Sequence, residues 1–310
     1  TLNPRVKSIM EVDGYQFIDL NSNGELDVYE DWRQDADTRA ADLVSQMTVR
    51  EKISQMQHPT FLPRADGEIP SYLQEWCNEE GIGMLLIREL NSVEAAANTM
   101  NIIQEYAEGS RLGVPVLVSM DSVHGLSYVS GSTVTPHNLA LAATRDEELV
   151  TKLAEIAREE HLTVGVRMAL SPDADLITDP RWGRNQECYS EDTDVVQSLI
   201  VAAVQALQGG SKLTEDSVIA TVKHFPGSGG QTDGVDGTPL TIQEDSIDLH
   251  LAGFRAAIEA GVAAVMPYGY STVPYLGGDA VENSADQSAA VMTDLLRGEL
   301  GYTGLIQTDW

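Results

Sequence analysis

The 310 residues carry 48 acidic against 19 basic side chains, a net charge of -29 spread along the chain rather than gathered in a tail. Such a surface repels phosphate backbones and argues against nucleic acid as a partner, and with no run of 18 apolar residues no membrane span is expected. With 42% apolar residues the chain can fill one large α/β core, and Cys77 and Cys188, far apart in sequence, read as unrelated thiols rather than a metal pair.

Taken in order, Asp19-Leu20-Asn21-Ser22-Asn23-Gly24-Glu25-Leu26-Asp27-Val28-Tyr29-Glu30 fits the calcium-loop pattern D-x-[DN]-x-[DN]-G-x5-E at every constrained position. Oxygens of Asp19, Asn21 and Asn23 are expected to converge on one ion, with Gly24 allowing the sharp turn. The Glu25 carbonyl, Asp27 (directly or through water) and a bidentate Glu30 complete the shell. The plainer reading is an acidic turn without an ion. A single loop suits a structural clip better than a sensor, and a need for Ca2+ suits a periplasmic or secreted protein. No cofactor is expected for catalysis.

A helix is predicted through 36–47 and a second from Thr48, where Thr48 and Glu51 have capping-box spacing. Leu43, Met47, Ile53 and Met56 are expected in the core. From Gly81 onward strands and helices alternate. The predicted strands are 82–87, 114–120, 163–170, 218–222, 263–266 and 304–307, and the predicted helices include 93–107, 146–160, 193–208 and 243–260. Repeated βα units imply a parallel sheet, and their number and spacing favour a TIM-like (β/α) barrel. The expected division is a leader, 1–37, and a barrel domain, 38–310.

Polar residues recur at one end of these strands. They are Asp121-Ser122-Val123-His124-Gly125, then Ser171-Pro172-Asp173-Ala174-Asp175 with Asp179-Pro180-Arg181-Trp182-Gly183-Arg184, then Lys223-His224, Pro267-Tyr268-Gly269-Tyr270 and Thr308-Asp309-Trp310. On a barrel those ends form one rim, where ligands bind. Lys223 and His224 are adjacent and would point to opposite faces of a regular strand, so the strand must bend for both to serve one pocket.

With those residues in view, the chain resembles the N-terminal barrel domain of glycoside hydrolase family 3, of the β-glucosidase and glucan exohydrolase type. The resemblance runs from about Arg39 to the last residue. It is carried by Met47-Thr48-Val49-Arg50-Glu51-Lys52-Ile53, Asp121-Ser122-Val123-His124-Gly125, Asp179-Pro180-Arg181-Trp182-Gly183-Arg184, Lys223-His224-Phe225 and Thr308-Asp309-Trp310, in family order. It implies Asp309 as catalytic nucleophile. It implies Asp121, Arg184, Lys223 and His224 as holders of the sugar hydroxyls, and Trp310 as an aromatic lining the first subsite. Retaining hydrolysis needs a nucleophilic carboxylate about 5–5.5 Å from a second carboxyl acting as acid and then base. Asp121 can accept from adjacent hydroxyls, while Lys223 and His224 are expected to donate to others.

Three departures qualify this. The family's tyrosine after the fifth strand could be Tyr268 or Tyr270, and Tyr268 is carried among the candidate substrate contacts. Lys223-His224-Phe225-Pro226-Gly227 also occurs in the family's β-N-acetylglucosaminidases, but the loop that follows here has no histidine, which disfavours that branch. Finally, the resemblance implies further barrel units and an α/β sandwich domain supplying the acid/base, none of it in these residues. A C-terminal segment or second chain is therefore expected to complete the site. The leading expectation is a retaining exo-β-glycosidase, a β-glucosidase or β-glucan glucohydrolase acting on β-glucosides or β-glucan oligosaccharides through a glycosyl-aspartate intermediate. The alternatives are a β-xylosidase of the same family and a non-catalytic sugar-binding domain.

Overall fold

The computed structural model describes residues 2–63 and 69–310 and divides into two compact units, Thr1–Ser119 and Met120–Trp310. The first opens with an antiparallel hairpin, β1 (Ser8–Val12) and β2 (Tyr15–Asp19). Two helices follow, α1 (Ala36–Gln46) and α2 (Val49–Gln55), and the expected capping box of Thr48 and Glu51 is present. Ile53 and Met56, expected in the core, are exposed instead. Ser54 is the buried residue of α2, and its carbonyl accepts from Gly83 N–H at 3.2 Å. A Cβ on Gly83 would lie 2.3 Å from the Gln55 carbonyl, so here backbone packs on backbone and leaves no room for a large side chain.

The rest of this unit is β3 (Thr60–Phe61), α3 (Ser71–Gln74) running into a π-helical turn, β4 (Met84–Ile87), α4 (Val93–Glu108) and the start of β5 (Leu117–Met120). β3, β4 and β5 are parallel. β4 is almost wholly buried, as expected of a strand covered on both faces.

In the second unit, α5 (Asn138–Ala142) and α6 (Glu147–Val164) precede β6 (Met168–Ala169). The predicted strand over 163–170 is shorter because α6 continues to Val164. Thr163 satisfies its hydroxyl on the Glu159 carbonyl at 2.7 Å, and Gly165, at φ +87°, terminates the helix. α7 (Thr193–Gln208) has the predicted bounds. β7 (Ile219–Phe225) is longer than predicted and carries Lys223 and His224 within the strand.

Next come β8 (Leu240–Thr241), α8 (Ile247–Glu259), β9 (Ala264–Pro267), β10 (Ser271–Thr272), a π-helical stretch over 290–299 and β11 (Leu305–Ile306). β6, β7, β9 and β11 are parallel neighbours, while β8 and β10 form a separate parallel pair. Met120, the last residue of β5, accepts from Leu170 N–H at 2.9 Å. Among the described residues β11 pairs only with β9. The core of this unit joins Ile200, Val204 and Leu207 of α7, Val222 and Phe225 of β7, and Leu251 and Phe254 of α8. Phe225 and Phe254 meet edge to face, centroids 5.4 Å apart. The polar ends of β7 and β9 emerge from this apolar floor.

Candidate active site

β7 supplies the centre of the site. Its pairing with β9 shifts register between Lys223 and Phe225, so the strand departs from regular alternation where the sequence requires a bend. The Lys223–His224 peptide is cis. Lys223 is buried, and its ammonium lies 3.5 Å from Asp121 Oδ1. A charge taken out of water needs such a partner.

His224, also buried, has Nδ1 2.8 Å from Asp175 Oδ2. Asp175 accepts further hydrogen bonds from Ser228, whose backbone N–H lies 2.6 Å away and whose hydroxyl also donates. Gly229 permits this approach, since a Cβ there would sit 1.8 Å from the Leu176 carbonyl. Burial, the largest effect, pushes the imidazole down to about 4, so the ring is neutral at physiological pH. With Nδ1–H given to Asp175, Nε2 presents a lone pair to the rim, where Arg184 donates at 3.3 Å. His224 therefore accepts at the rim, where the sequence reading has it donate.

Arg184 grips Glu187 through two parallel bonds of 3.1 and 3.0 Å, stacks on Trp182 with its guanidinium carbon 5.7 Å from the ring centroid, and lies 3.8 Å from Asp236. Trp182 donates to Asp236 at 3.1 Å. Burial alone would raise the Glu187 carboxyl, but the Arg184 pair outweighs it and holds Glu187 below the usual range.

Sequence reasoning left Asp173 and Asp175 undecided and missed Glu187 and Ser228. Asp173 and Asp175 are both wholly buried. Burial first, and the charge of Asp175 second, push Asp173 up to about 7. The available signal was spacing: carboxylates at i and i+2 on an extended, apolar-flanked segment face the same way. With His224 they bring ligand-type atoms within 4.8 Å of one another. The bonds already entering Asp175 and the nearby Arg184 cation favour a proton-sharing network over a metal centre there.

At the end of β9, Tyr268 is buried with its ring centroid 5.2 Å from that of His224, whereas Tyr270 is half exposed and 5.5 Å from Tyr268. Tyr268 is thus the tyrosine against His224. Beyond β11, Gln307 N–H bonds to the Val265 carbonyl at 3.0 Å. Asp309 and Trp310 follow, both exposed, with Trp310 N–H 2.9 Å from Asp309 Oδ1. After burial, the charges that bear on the His224 imidazole are those of Asp173, Arg184 and Lys223, with Asp309 last. The structure thus brings Asp121, Arg184, Lys223, His224 and Tyr268 together through direct contacts, while Asp309 follows β11, the neighbour of β9.

The calcium-type loop lies in the first unit. Gly24 has φ +82°. Asp19 accepts from the N–H groups of Asn23 and Gly24, both at 3.0 Å, and Glu30 accepts from Leu20 at 2.6 Å and Asp27 at 3.0 Å. The amides of Asn21 and Asn23 reach Asp27 at 2.7 and 2.8 Å. Burial is the leading effect that raises the Tyr29 phenol, and the charges of Glu30, Asp27 and Asp19 add to it. Asp19, Asn21, Asn23, Asp27 and Glu30 offer oxygen atoms, the donor chemistry Ca2+ takes. Among the described residues, however, the ligand-type atoms drawn within 4.8 Å of one another are those of Asp173, Asp175 and His224 and not those of this loop.

A parallel α/β fold with carboxylate, guanidinium, ammonium and imidazole groups at its strand ends has the arrangement in which barrel-type domains bind ligands. Residues 48–310 match the model of the glycosyl hydrolase family 3 N-terminal domain, and the chain belongs to that family. Its fold is accordingly α/β of the TIM-like barrel class. A periplasmic beta-glucosidase/beta-xylosidase of Dickeya chrysanthemi is 36% identical, over all of this chain and 51% of its own length. A β-glucosidase of Erythrobacter marinus superposes with a TM-score of 0.79 at 29% identity, over 92% of this chain and 37% of that one. A family 3 β-N-acetylglucosaminidase of Paenibacillus sp. str. FPU-7 gives 0.76 at 31% identity, over 85% and 49%. The chain spans about half the length of the curated relatives it matches.

Proposed function

We propose that this chain carries the glycone half of a retaining, exo-acting β-glycosidase, a β-glucosidase or β-glucan glucohydrolase that releases non-reducing-end glucose. The observation that supports the reading is the polar rim itself: Lys223 paired with Asp121, and His224 held by Asp175 and met by Arg184, with Asp309 following β11. Asp309 is the nucleophile and forms the glycosyl ester at the anomeric carbon. Asp121 and the Nε2 of His224 accept hydroxyl protons, Lys223 and Arg184 donate, and Tyr268 and Trp310 wall the sugar. The acid/base belongs to a segment beyond these residues. Water then hydrolyses the ester with that group acting as base.

Ca2+ held by Asp19, Asn21, Asn23, the Glu25 carbonyl, Asp27 and Glu30 neutralises the loop's carboxylates and clips the leader, with no part in the chemistry. A periplasmic or secreted location is supported by the name of the Dickeya relative. No helix among the described residues is long and apolar enough to cross a membrane.

That relative's name covers two activities, so β-xylosidase is the second reading. Turnover of aryl β-glucoside against aryl β-xyloside by the full-length protein separates them. The anomer released first, followed by NMR, tests retention: β-glucose is expected, and initial α-glucose overturns the mechanism. Glucose binding without turnover by the full-length protein would leave only a sugar-binding domain.

A further inference from the structure

The turn that carries Asp121 is fixed by a histidine that faces no substrate. His161, on α6, is wholly buried. Its Nδ1 lies 2.6 Å from the Ala157 carbonyl, and its Nε2 lies 2.6 Å from the hydroxyl of Ser122, the neighbour of Asp121. A carbonyl only accepts, so Nδ1 bears the hydrogen. The neutral ring then accepts at Nε2, and Ser122 O–H is the donor. Burial, which pushes His161 down to about 4, keeps the ring in this neutral form.

This bond has unusual leverage because packing behind the turn is incomplete. A cavity of about 50 Å³ is lined by Ser122, Val123, His124 and Gly125 on one side and by Leu153 and Ala157 of α6 on the other. Dispersion contacts across a void are lost, so side-chain packing alone does not set the turn's distance from α6. The Ser122–His161 bond ties the turn to α6, the Ser122 hydroxyl also lies 3.2 Å from the Met120 carbonyl, and Asp121 leaves the same turn toward Lys223.

We propose that His161, through Ser122, is a positioning residue for the sugar-holding carboxylate Asp121. The proposal rests on the functional reading above. Its test uses the full-length protein, an aryl β-glucoside, and rates expressed per active site titrated with a 2-deoxy-2-fluoro-β-glucosyl donor. Losing one buried hydrogen bond in the bound state corresponds to about a tenfold fall in kcat/KM. H161L and the milder S122A are each expected to show that fall, mostly in KM. H161Q, which places an acceptor near Nε2, is expected to recover part of it.

In a D121A background, H161L is expected to add almost nothing. Three results overturn the proposal: unchanged kcat/KM per titrated site in H161L or S122A with only a lower Tm, full additivity with D121A, or no recovery in H161Q. D121A indistinguishable from the parent sinks instead the reading of Asp121 as a sugar contact, and the role of His161 with it.

Discussion

The calcium-type loop and the cluster around Lys223 and Arg184 both hold carboxylates away from bulk water, and they compensate the charge by different means. In the loop, Asp19, Asp27 and Glu30 are met by backbone N–H groups and asparagine amides, which are dipoles without net charge. Burial, the leading effect, accordingly pushes Glu30 up. In the cluster, Lys223 stands against Asp121 and Arg184 against Glu187, so the chain supplies its own cations. We propose that a region of the first kind takes its cation from solution, whereas in the second Lys223 and Arg184 already stand as cations against Asp121 and Glu187.

The contrast breaks most visibly at Lys223. Lys223→Met leaves Asp121 facing an apolar stem, and kcat/KM on an aryl β-glucoside is expected to fall about 10²–10³-fold, unrecovered by added Ca2+. Wild-type-like kinetics in steady-state assays would remove Lys223 from the site. Next in size, Asp175→Ala strips the partner from His224 Nδ1 and from Ser228. The unsatisfied groups predict a loss of about 10- to 100-fold, with NMR of the imidazole nitrogens reporting a changed tautomer mixture.

The loop should respond in stability instead. Chelation with EGTA is expected to lower Tm by about 5 °C while leaving kcat/KM nearly intact. Glu30→Gln should abolish that sensitivity, and a Tm blind to both EGTA and Ca2+ would make the loop an acidic turn. The smallest effect concerns Asp173, raised from its ordinary 3.8 to about 7. The folded state then binds more protons than the unfolded one between those values. The stability Asp173 contributes is full below about 3.8 and is lost as pH rises toward 7. Asp173→Asn should flatten that part of a chemical-denaturation profile measured against pH, and an unchanged slope would assign it elsewhere.

The same contrast explains what the sequence disclosed. The loop is local, so its pattern is readable from one stretch of chain. Part of the rim is also readable, because Asp121 follows β5 and Lys223 and His224 close an apolar run that proved to be β7. The support beneath it is not. Asp175 and Ser228 are 53 positions apart and meet only because Gly229 lets two backbones touch. Ser122 and His161 are 39 apart and join a turn to a helix face. Strand limits failed where local composition misled: Thr163 and Val164 are β-branched, yet α6 holds them and Gly165 ends it. Ile53 and Met56 failed for the converse reason, since apolar periodicity does not reveal a backbone contact such as that at Gly83.

The central claim is that Asp309 is the nucleophile of this rim. Its most direct test is to trap the full-length protein with a 2-deoxy-2-fluoro-β-glucosyl donor and map the modified peptide by mass spectrometry. The account predicts one fluoroglucosyl unit per protein, carried on Asp309 and absent from Asp309→Ala. A label on another carboxylate, or turnover with retention that persists in Asp309→Ala, would contradict it.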